Sequence, residues 1–327
     1  MDEARDGVSR RDFVAGLVGG TAAVALGGPA ALAAEGRALV VRVASPKVWN
    51  DGRRDPEAVA AMFAAGLEAF TGEKSVRAAW SRFVKPGEKV GLKINLLGRP
   101  FLVTAREVTD AVSGSLIASG VPPADVIVWD RYKAHFARTP YEVGPGRHGE
   151  RIEAGGSYDA SKALHASGGV APIDRLATER THATISLPVL KDHGASGVTM
   201  ALKNIAFGAF EHHPKAHDNG CDPYIAEAYA HYVKHNRVAL IVLDATQACF
   251  DGGPRPSDRS KIWDENAIYL ATDPVALDVV GRDVIMERRR KAGLRDTSRM
   301  CRHIETARRL GLGIADPARI EVRAIEV

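Results

Sequence analysis

The sequence predicts an α/β fold, a mainly parallel sheet with helices on both faces, arranged as one large domain or two intimate lobes. Three observations lead there. Apolar runs of strand length stand at Leu39–Val43, Val90–Ile94, Val126–Trp129, Thr184–Val189, Ala239–Leu243 and Ile268–Ala271, and unbroken apolar runs suit strands buried on both faces. Helical patterns lie between most of them, an alternation that favours parallel pairing. At 327 residues, 45% hydrophobic and 26% charged, the chain is long and apolar enough to bury such a core. Its 32 glycines and 17 prolines follow no fixed period, which excludes collagen-like chains and solenoid arrays.

The N-terminus reads as an address. Ser9-Arg10-Arg11-Asp12-Phe13-Val14, followed by an Ala- and Gly-rich apolar stretch to Ala34, matches a twin-arginine export signal. A membrane span would be richer in Leu, Ile and Phe, because Gly and Ala gain little in hydrocarbon. The small residues of Ala31-Leu32-Ala33 put cleavage after Ala33. Residues 1–33 are then the signal peptide and 34–327 a single α/β domain with no stable membrane span, retention as an anchor being the alternative. The expected location is periplasmic or otherwise extracytoplasmic, with the twin-arginine machinery as a partner. That route carries proteins already folded, often around a cofactor.

After the first strand, Val90–Ile94 leads to Thr104 and Glu107, which read as a capping box. Val108, Ala111, Val112 and Ser115 repeat at helical spacing until Gly120, and Val126–Trp129 completes a βαβ unit. Residues 131–170 are Gly-rich and weakly periodic, a long excursion over the site. Asp273-Pro274 opens a further helix with a carboxylate at N-cap and proline at N1. The run Arg288-Arg289-Arg290-Lys291 ends it, as a solvated helix end favoured by the dipole.

Several classes are excluded. A net charge of +4 with no dense basic run among aromatics argues against a nucleic-acid partner. Cys221, Cys249 and Cys301 are widely spaced, with no CxxC, so neither a disulfide framework nor a cluster held by this chain alone is expected. There is no HExxH, no GxSxG and no P-loop, and Gly311-Leu-Gly313 lacks the third glycine of a dinucleotide fingerprint.

Ligands of open parallel sheets bind beyond the carboxyl ends of the strands. Four such places are polar: Lys93/Asn95/Arg99, Asp130 to His135, Lys191-Asp192-His193, and Asp244 to Asp251. Between Leu187 and Asn204 a strand end, a Gly/Ser turn and a helix follow one another. Lys191 and Lys203 there suit an anion, and His193 suits acid/base work because imidazole titrates near neutrality. The alternative is that Lys191 and His193 are solvated turn residues. Five of the eleven histidines fall in residues 211–235. The four-residue spacing of His213/His217 and His231/His235 offers metal ligands, the first pair more than the second, for nickel, iron or zinc.

Taken together, Lys93-Ile-Asn-Leu-Leu, Leu187-Pro-Val-Leu-Lys-Asp-His, Ala201-Leu-Lys-Asn, Asp251-Gly-Gly-Pro and Asp273-Pro-Val-Ala-Leu-Asp278 closely resemble the domain-of-unknown-function-362 family, over about residues 85–290. Members of that family are often iron–sulfur associated, some with appended ferredoxin modules, whose cysteines are missing here. The order of elements also resembles, more weakly, the nickel-pincer lactate racemase family. That likeness implies an acid/base role for His193, and a pincer nucleotide held by Lys203 with Asn204 beside it. It also implies a second catalytic histidine at His135, an Arg-Pro substrate contact at Arg99 and a metal ligand near His217. Met200-Ala201-Leu202 replaces the glycines that the family has beside its lysine.

The resulting expectation is an exported α/β protein that binds a metal or organometallic cofactor and performs proton or redox chemistry on a small anionic substrate. Lys93, Asn95, Arg99 and Lys191 hold the substrate; His193, Lys203 and His135 are catalytic; His213, His217, Asp244 and Asp251 supply metal ligands. A separate redox protein is a further candidate partner. The competing expectation is a non-catalytic periplasmic metal- or ligand-binding protein, or an accessory factor for another exported redox enzyme. An orphaned scaffold would have His193 and Lys203 pointing away from one another.

Overall fold

The computed structural model describes residues 29–166, 169–211 and 215–327. Its strands in chain order are β1 (Ala38–Ala44), β2 (Val90–Lys93), β3 (Val126–Asp130), β4 (Arg151–Ala154), β5 (Tyr158–Ala166), β6 (Gly169–Asp174), β7 (Ala183–Ser186), β8 (Val189–His193), β9 (Gly197–Thr199), β10 (Arg237–Cys249), β11 (Ala267–Ala271) and β12 (Ile320–Glu326). The central sheet runs β12-β1-β11-β10-β7-β2-β3-β4, with a two-residue strand, Gly144–Pro145, at its far edge. From β10 to β4 every pairing is parallel. Strand β11 opposes both β1 and β10, and β12 runs parallel to β1. The mainly parallel sheet of the sequence reading is therefore present.

Alternate residues of each strand feed two cores, because side chains point to opposite faces with a period of two. Val40, Ile127, Trp129, Ile241 and Leu243 face helices α3 (Ala201–Ala206), α4 (Tyr224–Tyr232), α5 (Pro274–Lys291) and α6 (Arg302–Arg309). Leu39, Val41, Val126, Val128, Leu240 and Val242 face α1 (Pro56–Thr71) and α2 (Arg106–Ala118). Helices thus cover both faces.

Asp273 opens α5 as its pattern predicts, accepting from Ala276 N at 2.8 Å with Pro274 in the first turn. The Thr104 capping box does not form. Thr104 is fully buried, its hydroxyl accepting from Asn95 N at 2.8 Å and donating to Leu187 O at 2.7 Å, and α2 starts at Arg106 with no side-chain cap. The helix end at residues 288–291 is not wholly solvated either. Arg289 is buried and its Nη1 donates to Phe250 O at 2.7 Å and Asp251 Oδ1 at 2.8 Å.

Two boundaries also move. The run Thr184–Val189 is broken at Leu187-Pro188 into β7 and β8, and β10 continues past Leu243 to Cys249 because β8 pairs with its second half. Residues 131–170 are not a bare excursion: they hold a helical turn at Lys133–Phe136, the sheet strand β4 and most of the β5–β6 hairpin.

The chain leaves β2 toward β3 on one side, and leaves β7 toward β10 on the other. The crevice between the carboxyl ends of β2 and β7 is thus a topological switch point, where parallel sheets bind ligands. Asn204 spans it, its Nδ2 donating to Lys93 O at 3.2 Å and Ser186 Oγ at 3.1 Å. Among the described residues no helix is long and apolar enough to cross a membrane. The twin-arginine motif lies outside them.

Candidate functional site

Above that crevice lies a cavity of about 410 Å³. Lys93, Asn95, His135, His193, Lys203, Asn204 and His217 line it, seven residues singled out in the sequence, together with Asp130, Arg131, Thr199 and Phe207. Arg255 stands exposed at its edge. His193 and Lys203 therefore share a pocket instead of pointing apart.

Strand β8 presents its residues alternately, so Lys191 and His193 project to one side and Asp192 to the other. Asp192 Oδ1 accepts from Gly253 N at 2.8 Å and anchors the loop that carries Pro254 and Arg255. Both Lys191 and His193 are buried, not solvated. Lys191 sits behind the wall, its Nζ donating to Asn95 Oδ1 at 2.8 Å, and burial lowers its pKa to about 8. Asn95 in turn donates to Asn204 Oδ1 at 3.1 Å, so the side chains of Lys191, Asn95 and Asn204 form one chain.

His193 is held by two backbone amides. Its Nδ1 accepts from the amides of Ala195 at 3.0 Å and Ser196 at 3.2 Å. Two N–H groups pointing at one ring nitrogen leave that nitrogen unprotonated, so the neutral ring carries its proton on Nε2. Burial, then the nearby Lys203, His217 and Lys191, push the pKa down to about 2. With Nδ1 engaged by two amides, the neutral ring offers its Nε2–H as a hydrogen-bond donor.

A carboxylate–imidazole pair also lines the cavity. Asp130 ends β3 and is buried; its Oδ1 accepts from Lys93 Nζ at 2.7 Å and Arg131 N at 2.8 Å, and its Oδ2 from Leu96 N at 2.9 Å. Burial alone would raise its pKa, but Lys93 and His135 outweigh that and hold it well below the carboxylate range. His135 Nδ1 stands 3.5 Å from Asp130 Oδ2 with no hydrogen-bond partner of its own. A carboxylate facing one ring nitrogen orients an imidazole, and such contacts tighten when ligand binds.

Three further groups complete the wall. Lys203, on α3, is buried; its Nζ contacts Cys221 Sγ at 3.0 Å and lies 3.9 Å from the Phe207 ring centroid. Burial lowers its pKa, with Cys221 opposing. Arg131 is 8% exposed; Nη1 donates to Phe207 O at 3.0 Å, while Nη2 is buried without a partner. Thr199 Oγ1 is likewise buried and unpartnered. Orphaned donors in a cavity wall are expensive unless a ligand satisfies them. The sequence points to Arg131 only as part of the Asp130 to His135 strand end and to Cys221 only as one of three spaced cysteines, with a specific role for neither. Arg131 follows a strand-terminal aspartate, a position that signals the crevice; for Cys221 no further sequence signal existed.

Other expected residues lie elsewhere. Arg99 lines a neighbouring cavity of about 360 Å³ that shares Leu97 and Arg255 with the first. Asp244 is no metal ligand: its Oδ2 accepts from Ala105 N at 2.7 Å and its Oδ1 from both Thr246 N and Oγ1, which uses its lone pairs structurally. Asp251 is paired with Arg289 outside the cavity. His217 faces His193, rings stacked 6.0 Å apart, while His213 falls outside the described residues. The second histidine pair is likewise engaged structurally, His231 Nε2 meeting Lys162 O at 2.9 Å. Among the described residues no three His, Cys, Asp or Glu converge as a metal centre. His213, the neighbour of His217 in the expected ligand pair, lies outside those residues.

A family model described as "Domain of unknown function (DUF362)" matches residues 169–283, the segment that carries His193, Lys203 and Cys221. No curated protein matches. A crystal structure of a protein from Thermotoga maritima, a structural-genomics target, is similar at 9% identity and a TM-score of 0.41, over 78% of this chain. This chain spans 59% of that one.

Proposed function

We propose, for a chain that belongs to the domain-of-unknown-function-362 family, that the cavity binds a small organic anion and transfers a proton to or from it, as an isomerase-type enzyme does. One observation supports this above all: Asp130 beside His135, and Arg131 with its Nη2 unpartnered, line the same cavity as a His193 whose Nδ1 is held by backbone amides.

The roles follow from the chemistry of each group. Arg131 Nη2 and Thr199 Oγ1 offer donors to the anionic end, where charge-assisted bonds are the strong ones. His193 Nε2–H donates to a second oxygen of the ligand, and a neutral donor polarises that oxygen without giving up its proton. Where that oxygen is a carbonyl, His135, oriented by Asp130, takes the proton from the carbon adjacent to the carbonyl carbon and returns it. Lys93 keeps Asp130 ionised. Export by the twin-arginine route and an extracytoplasmic location belong to the same proposal, supported by Arg10-Arg11 and the apolar stretch after them.

The test is hydrogen exchange. Small carboxylates carrying a carbonyl or hydroxyl are incubated with the protein in D2O and followed by proton NMR. The expectation is enzyme-dependent loss of one C–H signal, reduced at least ~100-fold in His135→Asn, in line with the usual contribution of general base catalysis. Binding of such anions without exchange would favour the non-catalytic ligand-binding reading.

A further inference from the structure

Three lysines are buried around this crevice, and two of them have oxygen acceptors. Lys93 Nζ donates to Asp130 Oδ1 and Ile94 O, and Lys191 Nζ to Asn95 Oδ1. Lys203 differs. It is 3% exposed, its hydrogen bond goes to the sulfur of Cys221, and no carboxylate pairs with it. An ammonium in such a place lacks the carboxylate that buried charge requires, and burial lowers its pKa, which favours the free amine with its lone pair. The amine lines the same cavity as His193, whose Nε2–H is free to meet a carbonyl oxygen.

The backbone holds the sulfur in place. Asn219, Gly220 and Cys221 take positive φ in succession, 51°, 69° and 67°. Two of these are non-glycine residues in the left-handed region, which is unfavourable and persists where the surroundings enforce it. That path sets Sγ against Nζ, and the Phe207 ring at 3.9 Å limits the other side of the amine. The Lys203 nitrogen is thereby fixed at the cavity wall.

We propose that Lys203 is a nucleophile that forms a covalent iminium with the carbonyl carbon of a small oxo acid. This deepens the preceding proposal and rests on its anion site, because it assigns the substrate class. The nitrogen lone pair attacks the carbonyl carbon, a C–N bond forms and the C=O π bond opens to a carbinolamine. The oxygen then leaves as water, taking one proton from the amine and one from solvent, and the C=N⁺ bond forms in its place. There is no change of oxidation state. The iminium acidifies the neighbouring C–H, which is the proton assigned to His135. Cys221 is a positioning residue: it holds the amine and does not touch the ligand.

The experiment is reductive trapping on the full chain. Pyruvate or glyoxylate is added at sub-millimolar concentration with sodium cyanoborohydride, followed by intact-mass measurement and peptide mapping. The expected result is one reduced adduct per chain, located on Lys203. Lys203→Met and Lys203→Arg should lose it, with both variants shown to be folded by circular dichroism and thermal melting. Cys221→Ala should trap at least about tenfold more slowly and still on Lys203. Oxo-acid binding by wild type, seen calorimetrically, without an adduct on Lys203 overturns the inference while leaving the proton-transfer reading intact. An adduct on Lys203 with hydrogen exchange unaffected by His135→Asn does the reverse. Adducts spread equally over surface lysines, or unchanged in Lys203→Met, also overturn it.

Discussion

The Asp278 side chain accepts a hydrogen bond from the Ala201 amide at 2.8 Å, and its second oxygen meets Leu202 N at 3.4 Å. A buried carboxylate on α5 thus caps the helix that carries Lys203 and Asn204. Two separate sequence motifs, Ala201-Leu-Lys-Asn and Asp273-Pro-Val-Ala-Leu-Asp278, are in this way one structural device. Burial raises the Asp278 pKa, against the helix amides and His303 that favour its ionised form. Replacing Asp278 with Ala leaves two buried amides unpartnered. It should cost about 2 kcal/mol of stability, read as a lower urea midpoint with an unchanged slope.

Gly208 has no room for a side chain. A Cβ there would stand 2.2 Å from Asn204 O and within 2.7 Å of the Lys93 side-chain end. Gly208→Ala should displace Lys93 from Asp130 and destabilise the fold by about 1–3 kcal/mol. A melting temperature equal to wild type would show that this wall yields more easily than its packing suggests.

His193 makes a prediction about pH. Its folded pKa lies below the unfolded value near 6.5, so the unfolded chain binds the extra proton first. The stability it contributes is complete above about pH 6.5 and is lost as the pH falls toward 2. The slope is at most about 1.4 kcal/mol per pH unit for one group. His193→Gln should flatten that part of the acid limb in a urea-denaturation series from pH 7 to 4. Nitrogen NMR should show a neutral ring protonated on Nε2 throughout pH 5–8; a titration near 6.5 would contradict the two-amide clamp on Nδ1.

Much of the architecture was legible in the sequence, because buried parallel strands leave unbroken apolar runs and Asp-Pro marks a helix start without ambiguity. The strand-end rule also found the crevice: seven of the residues it and its neighbouring motifs pointed to line one cavity. What sequence could not supply was the assignment of each polar group to ligand or to fold. Thr104 reads as a cap and is a buried bridge between β2 and the strand break at Leu187. Asp244 reads as a ligand and is the acceptor that caps the approach to α2. The surroundings that distinguish His193 from His135, two amides on the Nδ1 of one and a carboxylate from another strand beside the other, are set by tertiary placement.

The account stands most directly on Arg131, the buried cation whose Nη2 has no partner in the cavity wall. Titration calorimetry of wild type and Arg131→Met with small carboxylates tests it, with melting curves confirming that the variant is folded. Loss of a charged hydrogen bond should weaken binding about 10- to 100-fold in the variant, with one site per chain in the wild type. Equal affinity in the two proteins, or no binding of any small anion by the wild type, would contradict the account.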